Sequence, residues 1–159
     1  MARNEPPAGL ERETASAVAT RSLAAALARR LQAGDWLGLT GDLGAGKTCF
    51  VQGLASGLGV PGEVPVTSPT FVLLQTYPGR LALHHLDLYR LGEIGELAAI
   101  GYEDLVGGPG VCAVEWCDQI PESIPDDGLV IALELVDVER RRIGLRALGP
   151  RGRQLLAGL

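Results

Sequence analysis

Lysine is almost missing from this chain. Of its 14 basic residues only Lys47 is a lysine, and the other thirteen are arginines. Aromatics are also scarce at 4%, so Leu, Val and Ala must fill the core of a chain that is 47% hydrophobic. No stretch of about 18 apolar residues occurs, the length a membrane-spanning helix needs. The N-terminal MARNEPPAGLERE lacks the apolar segment of a secretory signal. No long run of one charge appears, and the net charge of −5 disfavours a protein that coats nucleic acid through its own basic surface. It does not exclude a partner that does so. Cys49, Cys112 and Cys117 are odd in number and lack C-x-x-C spacing, so they read as small buried apolar side chains in a reducing compartment. The expectation is a soluble cytoplasmic protein with no membrane contact.

What is present fits one ordinary domain in 159 residues, with no internal repeat. Residues 1–12, broken by Pro6, Pro7 and Gly9, read as a flexible tail, and 13–159 as a single domain. Thr14 to Ala33 reads as a helix capped by Thr14 or a neighbour, with Val18, Leu23, Leu27 and Leu31 near one face. Trp36 to Thr40 is a short buried strand, and Lys47 opens a helix to about Leu58, stopped by Gly57, Gly59 and Pro61. Pro61 to Thr70 is loop. Phe71–Tyr77 and Leu81–Asp87 form a hairpin, Glu93–Ile100 a short helix, and Val111–Glu115 a strand. Leu129–Val136 and Arg142–Leu148 form a second hairpin through Asp137 to Arg141. This order predicts an α/β fold with a mixed sheet.

Between strand and helix lies Gly41-Asp42-Leu43-Gly44-Ala45-Gly46-Lys47-Thr48. It matches G-x-x-x-x-G-K-[ST], a phosphate-binding loop, at every fixed position. Glycines let backbone N–H groups curl toward phosphate oxygens. The following helix turns its positive end to the same anion. Lys47 supplies a point charge for the outer phosphates, and the Thr48 hydroxyl a ligand for Mg²⁺. With this composition the pattern arises by chance on the order of 0.001 times in such a chain. A glycine-rich turn with an exposed lysine is therefore the weaker reading, and Mg-ATP is the expected ligand.

Such a loop needs a carboxylate at a nearby strand end. Glu115 ends the apolar run Val111 to Val114, and Asp87 ends Leu81 to Leu86. A carboxylate there is paired, protonated or on a metal, or else it caps the next turn. Thr67-Ser68-Pro69-Thr70 follows the loop helix, where nucleotide switches often sit, although S-P-T alone also fits a plain turn. His84 and His85 fall on opposite faces of a strand, without ligand spacing to a third residue, and read as structural or surface-facing. Arg140-Arg141-Arg142 reads as a solvated turn or a contact with nucleotide or partner-held RNA.

Taken together, GDLGAGKT, SPTF, HLDLYRL and VEW, in this order and spacing, resemble the TsaE (YjeE) family of small ATPases in bacterial tRNA threonylcarbamoyladenosine (t6A) modification. The resemblance covers about residues 14 to 148. It implies a P-loop NTPase-type three-layer α/β sandwich with a mixed, mainly parallel, mostly seven-stranded sheet and a C-terminal hairpin. It implies ATP or ADP held by residues Gly41 through Thr48 and Cys49. Thr48 and Glu115 would be the Mg²⁺ ligands, with Trp116 after the metal carboxylate. Lys47, Asp87, Glu115 and Thr70 would act in hydrolysis, Thr70 from a switch-like segment. Adenine contacts would come from near the N-terminal helix, Thr20 among the candidates, and from the late hairpin. The partners implied are the TsaD and TsaB proteins, with tRNA reached only through that complex and ATPase activity weak without it. Family members commonly read GKTT and follow the metal carboxylate's Trp with Pro. This chain has Cys49 and Cys117 at those places.

Three other functions compete. A small-molecule kinase would carry arginines in a lid, but residues 91–128 contain none. A GTPase would need an N-K-x-D motif, and the chain has no second lysine. The D-x-x-G matches at Asp104–Gly107 and Asp35–Gly38 are at the level of chance. A nucleotide-sensing scaffold that barely hydrolyses ATP is not separable from the ATPase by sequence.

Overall fold

The computed structural model describes residues 8–159, and among these seven strands form one sheet in the order β1-β7-β6-β2-β5-β4-β3. The chain runs β1 (Gly9–Thr14), α1 (Ala17–Ala28), β2 (Trp36–Thr40) and α2 (Lys47–Gly57). It continues through β3 (Leu74–Tyr77), β4 (Leu83–Asp87), α3 (Ile94–Ala98), α4 (Tyr102–Leu105) and β5 (Val111–Glu115). It ends with β6 (Leu129–Leu135), β7 (Arg141–Ala147) and α5 (Pro150–Leu156). Strands β6, β2, β5 and β4 are parallel neighbours, while β3, β7 and β1 join by antiparallel pairing. Because β7 is antiparallel to both β6 and β1, β1 points the same way as the central four.

The central strands are apolar on both faces because both faces are covered. On β5, Val111 and Ala113 join a core with α1, α2 and α5. Cys112 and Val114 join a second core with α3, α4 and the 3-10 turns at Cys117–Gln119 and Pro121–Ser123. Helices α1 and α2 approach so closely that a Cβ at Gly53 would lie 2.4 Å from Arg21 O. Phe50 on α2 is fully buried and contributes about 1.5–3 kcal/mol by its removal from water.

Several expectations are corrected. Gly9 to Arg12 are not tail but part of β1, registered on β7 from Gly9↔Arg146 to Thr14↔Arg141. Alternating polar residues in GLERET suit a strand, but the partner lies more than 120 residues away, beyond local patterning. Residues 1–7 of the expected tail fall outside the described residues. Helix α1 starts later than expected. Ser16 is its N-cap and accepts from the Ala19 N–H, while Thr14 ends β1. Val18 is exposed rather than core-facing. Phe71 and Val72 are exposed loop residues, and β3 begins only at Leu74. Helices α4 and α5 were not foreseen. Helix α5, PRGRQLL, opens on mostly polar residues and glycine and is fixed by Asp127, which accepts from the Arg151 and Gly152 N–H groups.

Candidate functional site

The site lies at the carboxyl ends of the parallel strands, where open α/β sheets place their ligands. Strand β2 leads into the loop and the loop into α2. Gly41, Gly44 and Gly46 take φ of 140°, 81° and 108°, values open to glycine and strained for other residues. Gly46 is also the N-cap of α2 and offers no side-chain cap, so the first amides of the helix stay available to an anion. Loop and strand ends together line a cavity of about 340 Å³.

Lys47 is buried and folds back over the loop. Its Nζ donates to Gly41 O at 2.5 Å and Asp42 O at 2.9 Å, and lies 4.0 Å from the centroid of the Trp116 ring. Burial pushes its pKa down, and Glu115 and Asp87 oppose that shift. Trp116 itself has φ of 60°, uncommon for a residue with a side chain, and its ring lies 4.9 Å from that of Tyr89.

Asp87 and Glu115 stand side by side, paired in register at the ends of β4 and β5 and each 2% exposed. Thr48 donates its hydroxyl proton toward Glu115, with Oγ1 at 3.1 Å from Oε1 and 3.2 Å from Oε2. Asp87 Oδ2 accepts from Ser68 at 2.5 Å and Thr70 at 2.9 Å, and Oδ1 accepts from the Tyr89 N–H at 2.9 Å. Two acidic side chains against one ammonium leave a formal negative charge in a buried place. That donor set, two carboxyl groups and a hydroxyl, has the oxygen chemistry of a magnesium site. The residues present therefore fit both an anion on the loop and a divalent cation beside Thr48 and Glu115.

Most of the sequence-read candidates come together here. Leu43, Gly44, Gly46, Lys47, Thr48, Cys49, Ser68, Thr70, Asp87, Glu115 and Trp116 all line the cavity. Ala45 points into the core, and Gly41 and Asp42 line an adjoining hollow with Leu133 to Leu135. Thr20 does not join them: it is buried, and its hydroxyl is engaged with Thr14 and with Ser16 O. Cys49 lies beside α1, its Sγ 3.8 Å from Arg21 Nη1. The arginine run divides. Arg140 pairs with Asp137 and Glu13, and Arg142 pairs with Glu11 and Glu134. Arg141 turns to the loop, its Nε 3.3 Å from where a Cβ on Gly46 would be.

His85 fits the structural and not the surface-facing alternative: it is fully buried, and its Nε2 donates to Glu115 Oε2. Its contact with a carboxyl group of this site was not foreseen. The available signal was strand alternation. His85 and Asp87 are two residues apart and so share the face of β4 that meets the phosphate loop.

Residues 14–143 match the family described as Threonylcarbamoyl adenosine biosynthesis protein TsaE. The chain belongs to the TsaE family. It is 44% identical over 115 residues to the tRNA threonylcarbamoyladenosine biosynthesis protein TsaE of Treponema pallidum, covering 72% of this chain and 84% of the relative. It is 40% identical over 133 residues to the protein of that name from Bacillus subtilis, covering 83% and 82%. The crystal structure of Bacillus subtilis YdiB superposes with a TM-score of 0.84 at 34% identity, over 97% of this chain and 95% of that one. The α/β fold with its mixed sheet is thus shared with a solved structure. Among the described residues no helix is long and apolar enough to cross a membrane.

Proposed function

We propose that this chain is the ATP-binding and hydrolysing subunit of tRNA t6A modification and that it acts on a TsaB–TsaD complex. One observation carries the reading: Lys47 and Thr48, at the start of the loop helix, converge on two buried, adjacent strand-end carboxyl groups, Asp87 and Glu115. A TsaE relative's name supplies the tRNA modification; the partners come from the resemblance. Loop amides and the Lys47 ammonium bind the triphosphate and stabilise charge that develops on the transferred phosphoryl group. To do so Lys47 exchanges its two carbonyl partners for phosphate oxygens. Thr48 and Glu115 hold Mg²⁺, which when bound neutralises charge on the outer phosphates. Asp87, kept in place by Ser68 and Thr70, orients the attacking water. Trp116 and Tyr89 line the cavity, their rings 4.9 Å apart.

The test is phosphate release from Mg-ATP, with and without the TsaB–TsaD complex. Slow release that rises with the complex and is lost in Lys47→Ala supports the reading. Fast, partner-independent transfer of phosphate to a small molecule overturns it, as does a Lys47→Ala variant that still supports t6A formation.

A further inference from the structure

One buried polar side chain touches the machinery above without a task in it. His85 is 0% exposed on β4, and its Nε2 donates to Glu115 Oε2. Its other nitrogen, Nδ1, is buried and has no hydrogen-bond partner among the described residues. This asymmetry selects the tautomer. With the proton on Nε2 the ring makes its bond to the carboxylate and leaves only a bare lone pair unmatched. With the proton on Nδ1 it would bury an orphan N–H and face lone pair to lone pair. The ring is hemmed in by Tyr77 on β3, the two rings 6.3 Å apart.

Strand register explains the reach. His85 pairs with Ala113 and Asp87 with Glu115, so Glu115 lies one step diagonally ahead of His85 on the same face. The carboxyl group is therefore gripped on both sides, by a core imidazole at Oε2 and by the loop hydroxyl of Thr48. Oε1 has no protein partner other than Thr48 among the described residues. A glutamate without the inner grip has three free torsions and a nearby ammonium, Lys47, to swing toward. Among the described residues no ion pair joins the two.

We propose that His85 is the positioning residue of the divalent-cation site: its Nε2–H anchors one oxygen of Glu115 and leaves the other preformed beside Thr48 for the cation. His85 touches neither nucleotide nor cation, and the inference rests on the nucleotide–metal reading given above. Hydrogen-bond partners behind metal ligands orient them, and their loss typically costs about 10–100-fold in metal affinity.

The experiment titrates a fluorescent ADP analogue into the full chain in EDTA and in Mg²⁺, with Mn²⁺ binding followed in parallel by electron paramagnetic resonance. In the wild type Mg²⁺ tightens ADP binding and Mn²⁺ binds. In His85→Leu the metal-free ADP affinity is kept while the gain from Mg²⁺ and the affinity for Mn²⁺ fall about tenfold or more. His85→Gln, whose amide N–H reaches about as far as Nε2, restores most of both. The proposal is overturned if His85→Leu keeps the wild-type metal response, if it loses metal-free ADP binding to the same extent, or if folded His85→Gln is no better than Leu. Should His85→Leu not fold, His85→Gln against the shorter His85→Asn decides: a metal response retained only by Gln supports the proposal, and equal responses overturn it. A wild type whose ADP binding ignores Mg²⁺ marks failure of the nucleotide–metal reading itself, a result separate from any difference among the variants.

Discussion

Asp87 and Glu115 are neighbours in register on adjacent parallel strands, equally buried, yet they are held in opposite ways. Glu115 is gripped from within, by His85 in the core and by Thr48 on the first turn of α2. Asp87 is gripped from outside, by Ser68 and Thr70 on a loop whose next residues, Phe71 and Val72, are exposed. That loop returns to the sheet through Leu73, at a φ of 68°. Arg90 rests 4.2 Å over the Phe71 ring, so the same loop carries a cation at its edge. The contrast divides the labour. One carboxyl group answers to the buried core, and the other to a segment that continues into exposed residues.

The largest effect is expected at the inward-held group. Glu115→Ala orphans the buried His85 N–H, which costs about 1–3 kcal/mol of stability. It also removes the proposed cation ligand, lowering Mg-dependent ATP hydrolysis by about 10²–10³-fold, as the loss of a transition-state charge partner does. Thermal unfolding and phosphate release measure the two. Unchanged stability would break the comparison at its stronger end. Asp87→Asn comes next. Hydrolysis drops about 100-fold, the typical worth of a positioned acid–base group. The Mg²⁺ dependence of ADP binding stays as in the wild type, and a loss there would make the two carboxyl groups equivalent. Third, Ser68→Ala combined with Thr70→Val frees Asp87 without deleting it. Hydrolysis falls about tenfold, or ~1.4 kcal/mol, and the drop is smaller when the partner complex is bound and holds the loop. An equal drop in both states would remove the surface segment from the account.

A last test, read on stability and not on hydrolysis, probes how rigid the Glu115 strand is on its far face. Burial pushes the thiols of Cys112, on β5, and Cys117, just beyond it, up to about 12 from an ordinary value near 9. Above that ordinary value the unfolded chain has released thiol protons that the native chain still holds. Stability therefore falls as pH rises through this window, by about 1.4 kcal/mol per pH unit for each thiol. Chemical denaturation between pH 8 and 11 reads the slope. At pH 8 a thiol reagent reacts with Cys49 alone in the native protein, and fast labelling of Cys117 would show that the strand end opens.

Legibility from sequence followed range. Strands β2 and β5 were read to the residue because their boundaries are local: an apolar run, then a glycine or a charged residue. The loop and both carboxyl groups were legible for the same reason, since residue type and spacing carry them. Strand β1 was lost because only its distant pairing with β7 turns an alternating polar segment into a strand. The partnership of His85 with Glu115 spans 30 residues and two strands, and no spacing rule reaches that far. Arg141 was one of three like residues until the hairpin turned it toward Gly46 and its neighbours toward acidic side chains.

By itself the sequence determined the loop: three glycines at positive φ that lead into a helix opened by the single lysine. The glycines, the single lysine and the threonine are properties of eight consecutive residues, and backbone stereochemistry forces what they do. Tertiary structure decided how the two carboxyl groups differ. Parallel pairing set Asp87 against Glu115, strand alternation brought His85 up behind one, and a returning loop laid Ser68 and Thr70 on the other. The physical reason is that an isolated strand end has no environment; its neighbours, brought from 17 to 67 residues away, supply it.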